Sequence, residues 1–181
     1  MKYVIASDIH GSAYYARLLK KRFEEEEADI LLLLGDLLYH GARNALPKDY
    51  APKEVTEILN GFKDQIYCVR GNCDSEVDQM VMEFSILVKN LLMEQKGKLI
   101  HVTHGHEYTK NALPPIRKGD ILLTGHTHVP ACERVNERYY LNPGSTSIPK
   151  EGSAHSYMTL EDGVFLWKDI ETGKEYKRFE I

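Results

Sequence analysis

The stretch ADILLLLGD, residues 28–36, holds an unbroken apolar row from Ile30 to Leu34 and stops abruptly at Gly35-Asp36. A strand with one wet face alternates apolar and polar side chains. An unbroken run suits a strand covered on both faces, as in a parallel sheet flanked by helices. Upstream, KYVIAS (2–7) is a second short apolar run with Val and Ile. Between them, SAYYARLLKKRFEEEE (12–27) spaces its apolar residues with helical periodicity, and Ser12 is placed to cap it. Strand, helix, strand in that order predicts a βαβ unit. The acidic run 24–27 reads as the solvated end of the helix.

The reading extends outward from this unit. YHGARNALPKDY (39–50) is loop-like, and APKEVTEILNGF (51–62) is a predicted helix with Pro52 in its first turn. QIYCVRGN (65–72) is a third strand ending in glycine, residues 84–105 read as strands turning at Lys96-Gly97, and DILLTGHTH (120–128) is another buried strand. The last third predicts antiparallel hairpins, turning near Asn136-Glu137, Asp162-Gly163 and Thr172-Gly173. An α/β first part and a β-rich end, without repeat or linker, predict one domain over residues 1–181.

The chain has 181 residues, 43% hydrophobic and 28% charged, with a net charge of -4. These values suit a globular protein and give no overall basic footprint for an extended nucleic-acid surface. The three cysteines Cys68, Cys73 and Cys132 form no framework pattern, no signal-peptide layout opens the sequence, and no apolar run would span a membrane. A reducing, cytoplasmic setting is the expectation.

The chemistry sits where the predicted strands stop. SDIHG offers Asp8 and His10, GDLLYHG offers Asp36, and RGNCD offers Asn72, Cys73 and Asp74. THGH offers His104 and His106, and GHTH offers His126 and His128. In open α/β sheets ligands bind beyond the carboxyl ends of strands. Any one of these residues alone reads as a turn residue or a cap. Five strand ends repeating the theme would gather carboxylates and imidazoles in an apolar layer, which demands a compensating charge such as a divalent cation. Mixed Asp, Asn and His without clustered thiolates points to a catalytic Mn, Fe, Co, Ni or Zn site rather than a structural zinc finger. Two Asp and four His are too many for one ion with an open position, so two ions sharing a carboxylate are the economical arrangement.

In that order DIHG, GD, GNCD, THGH and GHTH resemble the calcineurin-like metallophosphoesterases. The segments HGARNALPKDYAP, SEVDQM and NPGSTSIPK extend the resemblance to the small bacterial YfcE-type phosphodiesterases over nearly the whole chain. The resemblance implies a four-layer α/β/β/α sandwich: two mixed β-sheets flanked by helices, with the site at one edge. It implies that Asp8, His10 and His128 hold one ion, that Asn72, His104 and His126 hold a second, and that Asp36 bridges them. Manganese comes first, with zinc, iron, nickel or cobalt as alternatives. The implied reaction is hydrolysis of a small phosphodiester by water activated between the ions, with Asp36, Asn72, Cys73 and His104 in the catalytic set. Cys73 stands where many relatives have a histidine that helps the leaving oxygen, and a neutral thiol is a poorer donor. Arg43 and Asn44 are expected near the substrate phosphate, and His106 and Asp74 beside ligands or substrate. A phosphomonoesterase, a nuclease and a non-catalytic binding scaffold are the alternatives within the family, and a complete ligand set favours the enzyme. NPGSTS (142–147) is a polar loop that either closes the floor of the site or makes a turn, and its Asn-Pro-Gly order favours the structural role. A homo-oligomer, dimer or tetramer, is also implied. The hairpin at Tyr139-Tyr140 would serve such an interface or the core equally well.

Overall fold

The computed structural model describes residues 1–181. Its first unit is the predicted βαβ: β1 (Tyr3–Ala6), α1 (Ala13–Glu25) and β2 (Ile30–Leu33), with β1 and β2 parallel. Ser12 caps α1 by accepting a hydrogen bond from the Tyr15 N–H at 3.4 Å. α2 (Pro52–Asn60) begins on its proline and leads to β3 (Ile66–Cys68), parallel to β2. A short α3 (Glu76–Gln79) follows. Its capping box between Ser75 and Asp78 went unread in the sequence.

The remaining strands are β4 (Leu91–Gln95), β5 (Lys98–Val102), β6 (Ile121–Leu123), β7 (Ala131–Val135), β8 (Arg138–Asn142), β9 (Ser156–Glu161), β10 (Val164–Asp169) and β11 (Glu175–Glu180). They complete two mixed sheets, ordered β11-β10-β9-β1-β2-β3 and β4-β5-β6-β8-β7. Three hairpins turn on two residues each. Lys96-Gly97, Asn136-Glu137 and Asp162-Gly163 all have positive φ at both positions, the twist that matches flanking strands. Residues 84–90, expected to be strand, run as irregular chain into β4. Their apolar content serves packing instead: Ile86 is fully buried beside α2 residues Val55 and Leu59 in one core cluster.

The cores explain the layers. On one face of the first sheet, Val4, Ala6, Leu31 and Leu33 meet Ala16, Leu19 and Phe23 of α1 and Val55 and Leu59 of α2. On the other face, Ile5 and Leu32 meet Ile100, Val102, Ile121, Leu123 and Leu141 of the second sheet, with Trp167 fully buried. The unbroken run of β2 is therefore buried on both sides, as its sequence required. The outer face of the second sheet is covered by irregular chain rather than helix: Tyr108, Leu113 and Ile116 pack on Leu122 and Tyr140. Tyr140 is a core residue, its hydroxyl accepting a bond from Thr124 at 2.9 Å, and Tyr139 packs on Phe179. β1, β2, β3, β5 and β6 deliver their carboxyl ends to one edge of the sandwich, where their polar terminal residues converge.

Candidate metal centre

Five side chains at this edge hang from backbone that a β-carbon disfavours. Asp8, His10, Asp36, His126 and His128 all have φ between 50° and 66°, in the left-handed region. Asp and His tolerate it better than most residues, at a cost of order 1 kcal/mol or more apiece. The segment NPGSTS holds the strain in place. Ser145 and Ser147 donate hydroxyl bonds to the Asp8 carbonyl at 2.9 and 3.0 Å, and Thr146 donates to the Ser7 carbonyl at 2.9 Å. Asn142 donates its amide to the Gly125 carbonyl at 2.6 Å. This turn is thus structural and is also the floor under Asp8. Sequence alone did not connect it to that residue.

The imidazoles are fixed in one tautomer by the main chain. The Nδ1–H groups of His10, His104 and His128 donate to the carbonyls of Tyr39, Leu34 and Ile148 at 2.7, 2.6 and 2.8 Å. Each ring must then turn its Nε2 lone pair inward. His10 Nε2 and His128 Nε2 lie 3.3 Å apart, and His104 Nε2 lies 3.2 Å from Nδ1 of His126. Lone pairs facing lone pairs repel unless a proton or a cation sits between them.

The carboxylates complete two groups. Asp8 Oδ2 accepts the His126 N–H at 3.0 Å, while its Oδ1 is buried with no hydrogen-bond donor, 3.3 Å from His128 Nε2 and 3.6 Å from His10 Nε2. Asp36 Oδ1 accepts the Cys73 N–H at 2.8 Å, while Oδ2 lies 3.4 Å from His104 Nε2 and 3.6 Å from His10 Nε2, between the groups. Asn72 turns its Oδ1 to His104 Nε2 at 3.1 Å. The donor atoms of Asp8, His10 and His128 cluster within metal-binding reach of one another, as do those of Asp36, His104 and His126, and those of His10, Asp36 and Cys73. Mixed oxygen and nitrogen donors with one orphaned, buried carboxylate oxygen fit a divalent cation of the transition series.

The electrostatics carry the same demand. Burial alone would lower the His104 pKa, yet Asp36 and Asp8 push it up to about 9. Burial also opposes charging of His10, and Asp8 overcomes it in the same way. His126 goes down to about 4, through burial and the neighbouring charge on His104. With protons as the only cations, the carboxylates draw them onto the imidazoles.

The other expected residues divide. Arg43, Asn44, Cys73, Asn72, His10, Asp36, His126 and His128 line one cleft of about 260 Å³ together with Lys150, which sequence reasoning missed. Asn44 spends part of its amide on the His40 carbonyl at 2.8 Å. His106 is exposed, its ring 5.5 Å from that of His104, and faces a neighbouring cleft. For Asp74 the structure supports a place beside a ligand and corrects the place beside substrate: it is buried and lines neither cleft. Its buried carboxylate accepts the N–H groups of Asp36, Leu37 and Gly71 at 2.9, 2.9 and 2.8 Å, so it positions the chain behind Asp36 and contacts no substrate. Glycines allow that stacking: a β-carbon on Gly71 would lie 2.1 Å from Asp36 Oδ1, and one on Gly125 would lie 1.8 Å from Ser7 Oγ.

Residues 1–162 match the family model of the calcineurin-like phosphoesterase superfamily domain. The chain belongs to the calcineurin-like phosphoesterases. Among curated relatives, it is 45% identical to the phosphodiesterase YfcE of Escherichia coli K12 over 166 residues, 91% of this chain and 89% of that one. It is 28% identical to the probable metallophosphoesterase YsnB of Bacillus subtilis, across 90% of this chain and 86% of that one. Among solved structures, E. coli YfcE superposes with a TM-score of 0.95 at 40% identity over the whole of both chains. The zinc complex of Vps29 from Entamoeba histolytica shares the fold, with a TM-score of 0.66 at 22% identity over 99% of each chain. As a calcineurin-like phosphoesterase the chain is a hydrolase with a metal-binding set of Asp and His side chains, two mixed sheets and flanking helices. No helix is long and apolar enough to cross a membrane.

Proposed function

We propose that this calcineurin-like phosphoesterase is a phosphodiesterase working with two divalent ions, manganese first, on a small substrate in the cytoplasm, with residues 1–181 as one domain. The observation that carries the metal reading is the set of three Nδ1–H bonds to backbone carbonyls, which turns three Nε2 lone pairs onto Asp8 and Asp36. The similarity to a protein named phosphodiesterase supports the choice of diester. Asp8, His10 and His128 would hold one ion, Asn72, His104 and His126 the other, and Asp36 would reach both. Bound there, such ions supply Lewis acidity to phosphoryl oxygens and acidify water.

The reaction adds water across one P–O ester bond and releases a phosphomonoester and an alcohol. The chain's own groups contribute binding and orientation. Arg43 and Lys150 at the mouth of the cleft bring positive charge to the phosphate, and Asn44 offers a polar contact beside them. In the metal-free protein, burial and the Asp36 carboxylate push the Cys73 thiol up to about 12, which keeps it protonated and neutral there. A neutral thiol gives little help to a departing alkoxide, and this favours esters whose alcohol leaves easily.

The test is hydrolysis of an aryl phosphodiester by metal-stripped protein as Mn²⁺ is added stepwise, beside an Asp36→Asn variant and the matching aryl monoester. Turnover that appears with the ion, favours the diester and drops at least a hundredfold in the variant is the expected outcome, with the drop on the scale of lost metal chemistry. Full metal occupancy without turnover would overturn the reading.

A further inference from the structure

Beyond the metal cleft, across Asn72, lies a second cleft of about 340 Å³. Its lining is Arg70, Asn72, Lys89, Thr103, His106 and Glu107, with no hydrophobic residue among them. It is built, not incidental. The Arg70 N–H donates to the Val88 carbonyl at 2.8 Å, which sets Lys89 alongside Arg70. The Arg70 Nε–H donates to the Asp74 carbonyl at 3.2 Å, tying the guanidinium to the segment behind Asp36. Glu76 meets Arg70 at 3.1 Å, but its side chain is 74% exposed and such pairs exchange readily with water. Within the cleft two cations face one carboxylate, in a chain whose net charge is -4.

Asn72 lines both clefts, and His106 brings its ring within 6.2 Å of that of His126. A diester phosphorus at the metal groups has two ester arms. One arm would lie towards Arg43 and Lys150 and the other towards Arg70 and Lys89. Apart from the exposed His106 ring, the second cleft has no aromatic side chain and no apolar wall, which gives a nucleobase or an aryl ring little to stack on there. A guanidinium beside an ammonium matches a phosphate group.

We infer that the Arg70–Lys89 cleft is an anion subsite, and that the substrate class is a phosphodiester one of whose arms ends in a further phosphate. The inference rests on the diesterase reading for the arm it serves. The terminal phosphate is held and not cleaved, and the reaction remains addition of water across the ester bond at the metal groups.

Two chromogenic diesters differing only in that group provide the test: 4-nitrophenyl 2-hydroxyethyl phosphate and 4-nitrophenyl 2-(phosphonooxy)ethyl phosphate. With manganese-loaded protein, the phosphorylated ester is expected to have a kcat/KM about tenfold higher, mainly through KM, since the contact lies away from the reacting bond. That ratio should fall towards one in Lys89→Gln and in Arg70→Gln, and should shrink as KCl is raised. Lys89 is exposed, so its variant keeps the test valid if loss of the Arg70–Asp74 bond disturbs folding. A ratio of one or less in the unmodified protein, or a ratio unmoved by Lys89→Gln, overturns the subsite. Turnover of neither ester would sink the diesterase reading separately. Calorimetric titration with the two esters then still decides the subsite, with tenfold tighter binding of the phosphorylated one supporting it and equal binding refuting it.

Discussion

Asp74→Asn isolates the part played by the segment behind the metal groups. In the native protein the two Asp74 oxygens take three backbone N–H bonds, from Asp36 and Gly71 on Oδ2 and from Leu37 on Oδ1. An amide keeps at most the pair on its one oxygen and turns an NH₂ towards the Leu37 N–H, donor against donor in a buried site. Losing one bond to a charged acceptor and stranding its donor costs roughly 2–4 kcal/mol, and relief from burying a carboxylate offsets part of this, leaving about 2 kcal/mol. Because the same bonds fix Asp36 and the turn at Gly71, Mn²⁺ affinity should fall about 10- to 100-fold, the usual cost of removing a group that orients a ligand. Urea unfolding of the metal-free protein reads the first quantity, and calorimetric titration with Mn²⁺ reads the second. Asp78→Asn is the control. The Asp78 carboxylate also accepts a backbone bond from this segment, but only from the Ser75 N–H, while its own N–H donates to Ser75 Oγ to cap α3, so the change should cost about 1 kcal/mol of stability and leave metal affinity nearly intact. Equal Mn²⁺ affinity in Asp74→Asn and the unmodified protein would refute the positioning argument.

Two further outcomes test the surrounding scaffold. Gly125→Ala places a β-carbon 1.8 Å from Ser7 Oγ and 3.0 Å from Asp8 Oδ2, so it should cost about 1–3 kcal/mol in thermal unfolding and weaken Mn²⁺ binding with it; unchanged stability would refute the close approach. Glu26, on the far side of the first sheet, resists burial's upward push because Lys168, Lys2 and Tyr157 hold its carboxylate, which brings the pKa down to about 2 from the usual 4.5. A lowered folded-state pKa contributes stability above the unfolded value and loses it as pH falls from about 4.5 towards 2. After allowance for solvent screening this is about 1–2 kcal/mol. Urea midpoints across pH 6 to 3 should fall less steeply in Glu26→Gln than in the unmodified protein, and parallel curves would refute the assignment.

What could be read from the sequence follows the range of the interactions involved. The apolar run 30–34 announces burial on both faces because strand periodicity is local, and the pairs Lys96-Gly97 and Asp162-Gly163 announce their hairpins for the same reason. The irregular run 84–90 misleads because Ile86 is apolar for burial in the core that also holds Val55 and Leu59 of α2, which pattern cannot distinguish from a strand. Asp8, Asp36, His104, His126 and His128 are legible as a group because each follows a strand end, with a glycine adjacent to Asp36, His104 and His126 and three residues from Asp8 and His128. Their partition is not legible from spacing.

That partition comes from groups without sequence identity. The carbonyls of Tyr39, Leu34 and Ile148 choose the tautomer of three histidines, and any residue at those positions would present the same oxygen. Asp74 shows the converse. In GNCD it looks like one more strand-end ligand, but the turn after Asn72 carries it inward, where it is buried, accepts three N–H groups and lines neither cleft. Arg70 and Lys89 sit 19 positions apart, in segments with no shared motif, and one backbone hydrogen bond from residue 70 to residue 88 makes them neighbours. Where main chain rather than side chain sets the geometry, composition and spacing carry no trace of it, and the chemistry of the second cleft becomes visible only once the sheets have closed.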